Sequence, residues 1–127
     1  MDVKEMSSLS LAFVGDAHFG LTVKEYLVNK SDAKPQQLQK ISTHYVSAKA
    51  QASFISYFME NEILTEKEMD IYKRGRNAKT NNVPKNTDVQ TYHMSTGFEA
   101  LWGYLYLSKN VERLGQLWDI IKTIVGE

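Results

Sequence analysis

Residues 97–107 read GFEALWGYLYL, and every residue in this stretch is apolar, aromatic or glycine except Glu99. A carboxylate within so apolar a segment costs free energy unless a partner compensates its charge. A second stretch, LSLAFVGDAHFGL at residues 9–21, has the same character, and its one acidic residue is Asp16. The two lone acids in two apolar segments are the first candidates for functional residues.

The spacing of the apolar residues predicts an all-α fold, because no alternating strand pattern stands out. We expect helices over about residues 8–28, from Pro35 to about residue 60, from a capping box at residues 65–68 toward Lys79, and from a second capping box at residues 87–90 through Glu99. A last helix carries an apolar face of Val111, Leu114, Trp118, Ile121 and Val125. No linker divides the chain, so we expect one domain over residues 1–127.

The composition is typical of a globular protein of a reducing compartment. Hydrophobic residues make up 43% of the chain and charged residues 24%, which are ordinary values for a soluble domain. The chain has no cysteine, which excludes disulfides and thiolate metal sites. The N-terminus does not resemble a signal peptide, and no apolar stretch is long enough to cross a membrane. We therefore expect a cytoplasmic protein without a membrane segment.

The charge is balanced overall but unevenly distributed. The 15 basic residues equal the 15 acidic ones, so the net charge does not indicate a polyanionic partner. An acidic stretch at residues 60–70 is followed by a basic segment, residues 73–86, whose cations are Lys73, Arg74, Arg76, Lys79 and Lys85. Its GRNAKTNNVPKN part, residues 75–86, is rich in turn residues and indicates a helix end with an exposed loop, which could be simply solvated.

The residues alone leave two explanations of Asp16 and Glu99 open. Each acid could be a structural group satisfied by a hydroxyl or backbone donor, and Asp16 could also mark a turn after Gly15. Alternatively, both could hold one hard cation, because Mg²⁺ often uses one or two protein carboxylates together with waters and substrate phosphates. We expect Ala17, beside Asp16, and Gly103, one turn after Glu99, to leave open space near both carboxylates.

The motifs resemble those of a known family. LAFVGDAHFGLTVKEYL, residues 11–27, resembles the signature helix of the ribonuclease III family, and FEALWGYLYL, residues 98–107, is similar to its second motif. Between them, HYVSAKAQA, KRGRNAK and VPKNTDVQTYHMSTGFEALWGYLYL resemble the short Mini-III branch, a catalytic domain without a double-stranded-RNA-binding domain. The resemblance covers about residues 8–109 and matches a chain that ends at Glu127. It implies a helical endonuclease domain that works as a two-fold homodimer.

The resemblance also implies an activity. It places Asp16 at the position of the catalytic aspartate and Glu99 at that of the Mg²⁺-binding glutamate. The implied reaction is Mg²⁺-dependent hydrolysis of double-stranded RNA, with staggered cuts that leave 5′-phosphate and 3′-hydroxyl ends. The implied natural substrate is the precursor of large-subunit (23S) ribosomal RNA.

We expect the basic segment to contact the RNA duplex. Its cations can bind phosphates, and its amide groups can bond 2′-hydroxyls or base edges in the wide minor groove. The residues expected to do so are Arg76, Asn77, Lys79 and Lys85, with Arg74 and Lys73 as weaker candidates and further amides at Asn81, Asn82 and Asn86.

The chain departs from the larger family members at several positions. Three expected acidic positions are occupied by Leu9, Ala12 and Thr96, which implies a sparse metal site. Gly20 stands where Mini-III relatives usually have glutamate. His18 replaces an aliphatic residue, and a lone histidine is more often packed or at the surface than a ligand.

Two other classes of function are compatible with the residues. One is a catalytically inactive member of the fold that binds structured RNA as a ribosome-associated scaffold. The other is a helical protein-interaction module whose Trp and Tyr residues form a partner-binding face, with no affinity for nucleic acid. Cleavage of double-stranded RNA that requires Mg²⁺ would distinguish the enzyme from both.

Overall fold

The computed structural model describes residues 2–80 and 83–126, which contain a short 3₁₀ helix followed by six α-helices. The 3₁₀ helix is Val3–Glu5, and the α-helices are α1 (Ser8–Lys30), α2 (Pro35–Val46), α3 (Ala48–Glu60), α4 (Glu66–Arg76), α5 (Val89–Leu107) and α6 (Val111–Val125). These residues form no strand, and the all-α prediction is confirmed. Within the same ranges, no helix has the length and apolar character needed to span a bilayer.

The predicted second helix is wrong in one respect, because residues 35–60 form two helices. Ser47 interrupts them with an extended conformation, φ −65° and ψ 154°, and its side chain accepts a hydrogen bond from the backbone N–H of Ala50. A serine in this conformation caps a new helix and satisfies one of the N–H groups that the first turn leaves free. The apolar spacing on both sides of Ser47 is helical, so it does not reveal the break.

Two other helix ends differ in detail from the prediction. Helix α4 starts at the expected capping box, in which Thr65 and Glu68 each accept from the other's backbone N–H, but it ends at Arg76 and does not continue toward Lys79. Helix α5 is capped by Asp88, whose carboxylate accepts from the backbone N–H of Thr91. The capping residue is therefore one position later than the predicted box implies.

Helix α5 lies at the centre of the fold and packs against α1, α3 and α4. Its buried residues are 95–98, 100–103 and 105, so they lie on every side of the helix. A helix that is apolar all round belongs in the interior. Phe19 of α1 packs edge-on against Phe98 and Trp102 of α5, with ring centroids 5.1 and 4.9 Å apart. The apolar stretch at residues 97–107 is therefore the core helix of the protein.

Helices α1 and α5 approach most closely at Gly15 and Gly103. A Cβ atom on Gly15 would overlap the backbone carbonyl of Glu99, and one on Gly103 would overlap the backbone carbonyl of Leu11. Only glycine permits backbones to come this close. The expectation that Gly103 leaves open space near Glu99 is therefore wrong, because the backbone of α1 fills that space.

An ion pair anchors the start of α4 to α6. Arg113 donates to both carboxylate oxygens of Glu68 at 2.8 Å and to the carbonyl of Ile63 at 2.7 Å. Burial alone would raise the pKa of Glu68, but the hydrogen bonds from Arg113 and Thr65 outweigh it and lower the pKa. A bidentate pair of this kind fixes the orientation of both groups.

Replacing Gly103 by Ala should destabilise the protein by about 2–3 kcal/mol, because the added methyl group overlaps the α1 backbone. Gly20→Ala is the matched control, since Gly20 also lies inside a helix but its Cβ would meet no atom within 4 Å. That variant should be more stable than wild type by about 0.5–1 kcal/mol. Urea unfolding followed by circular dichroism measures both. Equal stability of the two variants would contradict the close contact.

Candidate active site

Asp16 of α1 and Glu99 of α5 lie side by side. Gly15, directly before Asp16, packs on the backbone carbonyl of Glu99, so the helix contact itself sets the spacing of the two acids. Their carboxyl groups are within hydrogen-bonding reach of each other. Helix α1 continues without interruption to Lys30, so the alternative of a turn at Asp16 is wrong.

The two acids differ in their exposure. Asp16 is exposed, whereas Glu99 is partly buried. Burial, followed by the hydrogen bond and the negative charge of Asp16, raises the pKa of Glu99 to about 8. Near neutral pH the pair therefore retains a proton, because two adjacent carboxylates in a poorly solvated place do not both ionise. A cation bound between them would offset both the burial and the repulsion.

Gln51 of α3 contacts Glu99 as well. Its side-chain nitrogen, Nε2, donates to Oε2 of Glu99 at 3.3 Å, and the side chain is only 1% exposed. This hydrogen bond favours the ionised carboxylate, but burial and Asp16 have the larger effect on the pKa of Glu99. The sequence pattern did not single out Gln51. The one feature that could have identified Gln51 is that it is an amide within a stretch of mostly small and apolar residues, AQASFI at residues 50–55.

A groove opens beside Asp16 between α1 and α2. It encloses about 400 Å³ and is lined by Asp16, Ala17, Gly20, Leu21, Lys24, Gln39, Ser42 and Val46. A side chain at Gly20 would meet nothing within 4 Å, so the missing side chain leaves the groove open one turn after Asp16. The open space near Asp16 is therefore provided by Ala17 and Gly20.

The ring of His18 makes its described contacts with α5. The indole N–H of Trp102 donates to Nδ1 of His18 at 3.0 Å, and the His18 ring stacks on Tyr106 with centroids 4.0 Å apart. Burial lowers the pKa of His18 although Glu25 opposes this, and the neutral ring that results can accept the bond from Trp102. These contacts are those of a packed residue.

The residues of the basic segment differ in their contacts with the rest of the protein and in their exposure. Arg74 pairs with Asp70 at 3.5 Å, and both side chains are more than half exposed. The guanidinium of Arg76 lies 5.6 Å from the centre of the Tyr72 ring, and its Nε donates to Oδ1 of Asn77 at 3.3 Å. The remaining predicted contacts that the structure describes are exposed, and they are Lys73, Lys79, Lys85 and Asn86. Asn81 and Asn82 lie outside the described residues.

The basic segment starts against α5. A Cβ atom on Gly75 would lie 2.7 Å from Cβ of Ala100 and 3.0 Å from Cα of Gly97. Gly75 is therefore a helix-packing residue, and the interpretation of it as a turn residue is wrong. The contact places the end of α4 next to the same turns of α5 that carry Glu99.

The oxygen donors fit a hard cation but are few. Residues 2–80 and 83–126 contain no group of three or more His, Asp or Glu side chains arranged to hold a metal ion. Of the three positions where acids were missing, Leu9 and Ala12 are apolar, and the hydroxyl of Thr96 donates to the carbonyl of Tyr92. Two adjacent carboxylates suit Mg²⁺, which can complete its shell with water and substrate phosphate.

Comparison with known proteins relates these motifs to a family. The chain matches the family described as Ribonuclease III domain over residues 9–110, which include both acids. It is 50% identical to Mini-ribonuclease 3 of Enterococcus faecalis, with 99% of this chain and 96% of the relative covered. It is also 50% identical to Mini-ribonuclease 3 of Staphylococcus aureus, with 98% and 93% covered. A crystal structure of a Fusobacterium nucleatum protein is similar with a TM-score of 0.84 and 30% identity, covering 96% of each chain.

The stability of the metal-free protein should fall as the pH rises from about 5 to about 8. Because the pKa of Glu99 is about 8 in the folded protein and 4.5 ordinarily, the folded state binds more protons in this interval, and a higher pH favours unfolding. One pKa unit corresponds to about 1.4 kcal/mol, so the loss amounts to a few kcal/mol at most. Thermal unfolding in the presence of a chelator measures it.

Two variants isolate the contribution of Glu99 to this pH dependence. Glu99→Gln removes this titrating group and should abolish the fall, leaving the rise with pH that the lowered pKa of His18 contributes, with higher stability than wild type at pH 8. Glu60→Gln, which changes an exposed acid at the end of α3, should leave the dependence as in wild type. A wild-type curve parallel to that of Glu99→Gln would contradict the raised pKa.

Proposed function

The chain belongs to the ribonuclease III family and is an endoribonuclease, and we propose that it hydrolyses double-stranded RNA in a Mg²⁺-dependent reaction at Asp16 and Glu99. The observation that carries this proposal is the pair of adjacent carboxyl groups at the edge of an open groove. The expected products carry 5′-phosphate and 3′-hydroxyl ends.

Asp16 and Glu99 are the residues that would hold the ion. When bound, Mg²⁺ supplies activation of water and stabilises negative charge on the phosphate and the leaving oxygen. Asp16 stands at the exposed edge of the pair, where the groove lets a phosphodiester approach. Glu99 has to lose its proton before it can act as a ligand, so binding of the ion should strengthen as the pH rises.

The biological setting that we propose rests on the similarity to the short branch of the family. The match along nearly the whole length of the Mini-ribonuclease 3 of Enterococcus faecalis supports a catalytic domain over residues 1–127. We place this enzyme in the cytoplasm, because a protein without cysteine needs no oxidising compartment. The precursor of 23S ribosomal RNA is the natural substrate that we propose.

Asp16→Asn and Glu99→Gln should each reduce cleavage by at least about 100-fold, because each removes a charged ligand of the ion that stabilises the transition state. The helical fold and the affinity for RNA should be retained, since both substitutions preserve size. Glu60→Gln is the control and should cut as wild type does. The assay uses long double-stranded RNA with and without Mg²⁺, followed by analysis of the product ends.

The outcomes of this assay separate the candidate functions. Cleavage near the wild-type rate in either variant would refute the site. Tight binding of RNA by the wild-type protein without any Mg²⁺-dependent cleavage would favour the inactive ribosome-associated scaffold. No affinity for nucleic acid would leave only the protein-interaction module.

We also propose a two-fold homodimer. Phe13 is 81% exposed, and Leu9 and Tyr106 are each more than 40% exposed, although all three are large and apolar. Leu9 and Phe13 are four residues apart and share a face of α1, close before Asp16. An exposed apolar face of this kind favours association, and a two-fold dimer presents one identical site to each strand of an antiparallel duplex.

Phe13→Glu should shift the protein to a monomer, because a charge placed in an apolar interface loses its hydration. Val111→Glu is the matched control, since Val111 of α6 is also highly exposed, at 75%, and should leave the dimer intact. Sedimentation velocity at micromolar concentration measures both. An active wild-type sample that contains only monomer would contradict the dimer.

The basic segment is the second part of the proposed RNA-binding surface. Lys79 and Lys85 are exposed, and Arg76 is held over Tyr72 beside the helix that carries Glu99. Arg74 is a weaker candidate because Asp70 already partly neutralises it. Asn77, which accepts from Arg76, is oriented together with that guanidinium. These positions support a contact with the duplex next to the cut.

Replacing Arg76, Lys79 and Lys85 together by Ala should weaken RNA binding and flatten its salt dependence, by up to about one unit of slope for each lost phosphate contact. The rate at saturating RNA should fall much less than the affinity. A control triple variant at Lys4, Lys40 and Lys109, which are exposed and lie outside the segment, makes the same change in charge. If the affinity and the salt slope equal those of the control, the segment does not contact RNA and is simply a solvated loop.

A further inference from the structure

Gln51 is a buried amide behind the candidate site. It lies on α3, is 1% exposed, and its neighbours on that helix include the core residues Phe54, Ile55 and Phe58. A buried amide costs free energy unless its polar atoms are bonded, and an apolar side chain of similar size would fill the same space without that cost. The partner that its Nε2 has is the carboxyl group of Glu99, at 3.3 Å.

The break between α2 and α3 sets the position of Gln51. The backbone N–H of Gln51 donates to the carbonyl of Ser47 at 3.0 Å and closes the first turn of α3. Because Ser47 ends α2 and starts α3, the chain changes direction there, and α3 packs against α5. Gln51 is therefore placed by the first turn of a helix and not by a flexible loop.

The contacts of Glu99 restrain its carboxyl group between two partners. Gln51 donates to Oε2, and Asp16 lies within hydrogen-bonding reach. A glutamate side chain without such restraint has several rotamers, and fixing one of them costs conformational entropy at the moment a ligand binds. Restraint by the Gln51 amide removes part of that cost in advance.

We propose that Gln51 is a positioning residue that orients Glu99 for binding the metal ion. This inference rests on the proposed function and adds a residue to it. A neutral amide suits this role, because it donates to an ionised carboxylate without adding a third negative charge to the site. A lysine or arginine in the same place would compete with the cation for the charge of Glu99.

The test uses Gln51→Met, which keeps the length of the side chain and removes the donor. Electron paramagnetic resonance measures the affinity of the RNA-free protein for Mn²⁺. The affinity of this variant should be about 10–100-fold weaker than that of wild type, as is usual when a partner of a metal ligand is lost. Cleavage by this variant should recover as the Mg²⁺ concentration is raised. Glu99→Gln, which lacks the ligand itself, should show no such recovery.

Ile55→Val is the matched control for a purely structural effect. Ile55 lies one turn after Gln51 on α3 and is fully buried, so its truncation loosens the same helix without removing a partner of Glu99. Its Mn²⁺ affinity should equal that of wild type. A Gln51→Met variant with wild-type Mn²⁺ affinity overturns the inference and leaves the proposed function standing. A wild-type protein that binds no Mn²⁺ overturns the proposed metal site and the inference together.

A second measurement avoids any dependence on the folding of the variant. In wild-type protein labelled with ¹⁵N, the side-chain amide signals of Gln51 should shift when Mg²⁺ is added, because the charge on its acceptor changes. The side-chain amide of Gln116, which lies on α6 and accepts from Arg113, is the internal control and should not shift. Signals of Gln51 that stay unchanged at saturating Mg²⁺ overturn the inference.

Discussion

The packing of α1 directly on α5 at Gly15 and Gly103 is the contact on which the candidate site depends. Each glycine accepts the backbone of the opposite helix where any side chain would overlap it. Asp16 follows the first glycine, and Glu99 precedes the second by one turn, so both acids are fixed to the contact itself. Backbone contacts leave little freedom to adjust, and a site that needs two carboxylates at a defined spacing benefits from that rigidity.

This arrangement has an energetic cost that the rest of the core offsets. The raised pKa of Glu99 shows that the metal-free site disfavours two negative charges. The surrounding aromatic residues, Phe19, Phe98 and Trp102, are at most 1% exposed and contribute the burial that stabilises the same helix pair. Enzymes commonly lose stability at a functional site, and the apolar packing around that site offsets the loss.

The amino-acid sequence was sufficient for the features that depend on local pattern. The capping box at residues 87–90 and the apolar stretch around Glu99 predicted a helix, and the lone acids in two apolar segments identified Asp16 and Glu99 as candidates. Local pattern does not contain the contacts between distant residues. Gln51 and Glu99 are 48 positions apart, and His18 and Trp102 are 84 apart. For the same reason, the role of Gly103 was predicted wrongly, since its partner is the backbone of another helix.

Helix α5 brings the parts of the candidate site together because small residues on two of its sides let neighbouring helices pack closely. Gly103 admits α1 with Asp16, and Gly97 admits Tyr72 of α4, beyond which the basic segment begins. Gln51 reaches the same helix from α3. The two carboxylates, their amide partner and Arg76 at the end of α4 therefore share one rigid support, whereas Lys79 and Lys85 follow in the loop after α4. A duplex bound by Arg76 would thus be held at a fixed position relative to Glu99, which lets binding energy far from the reacting phosphate contribute to its alignment.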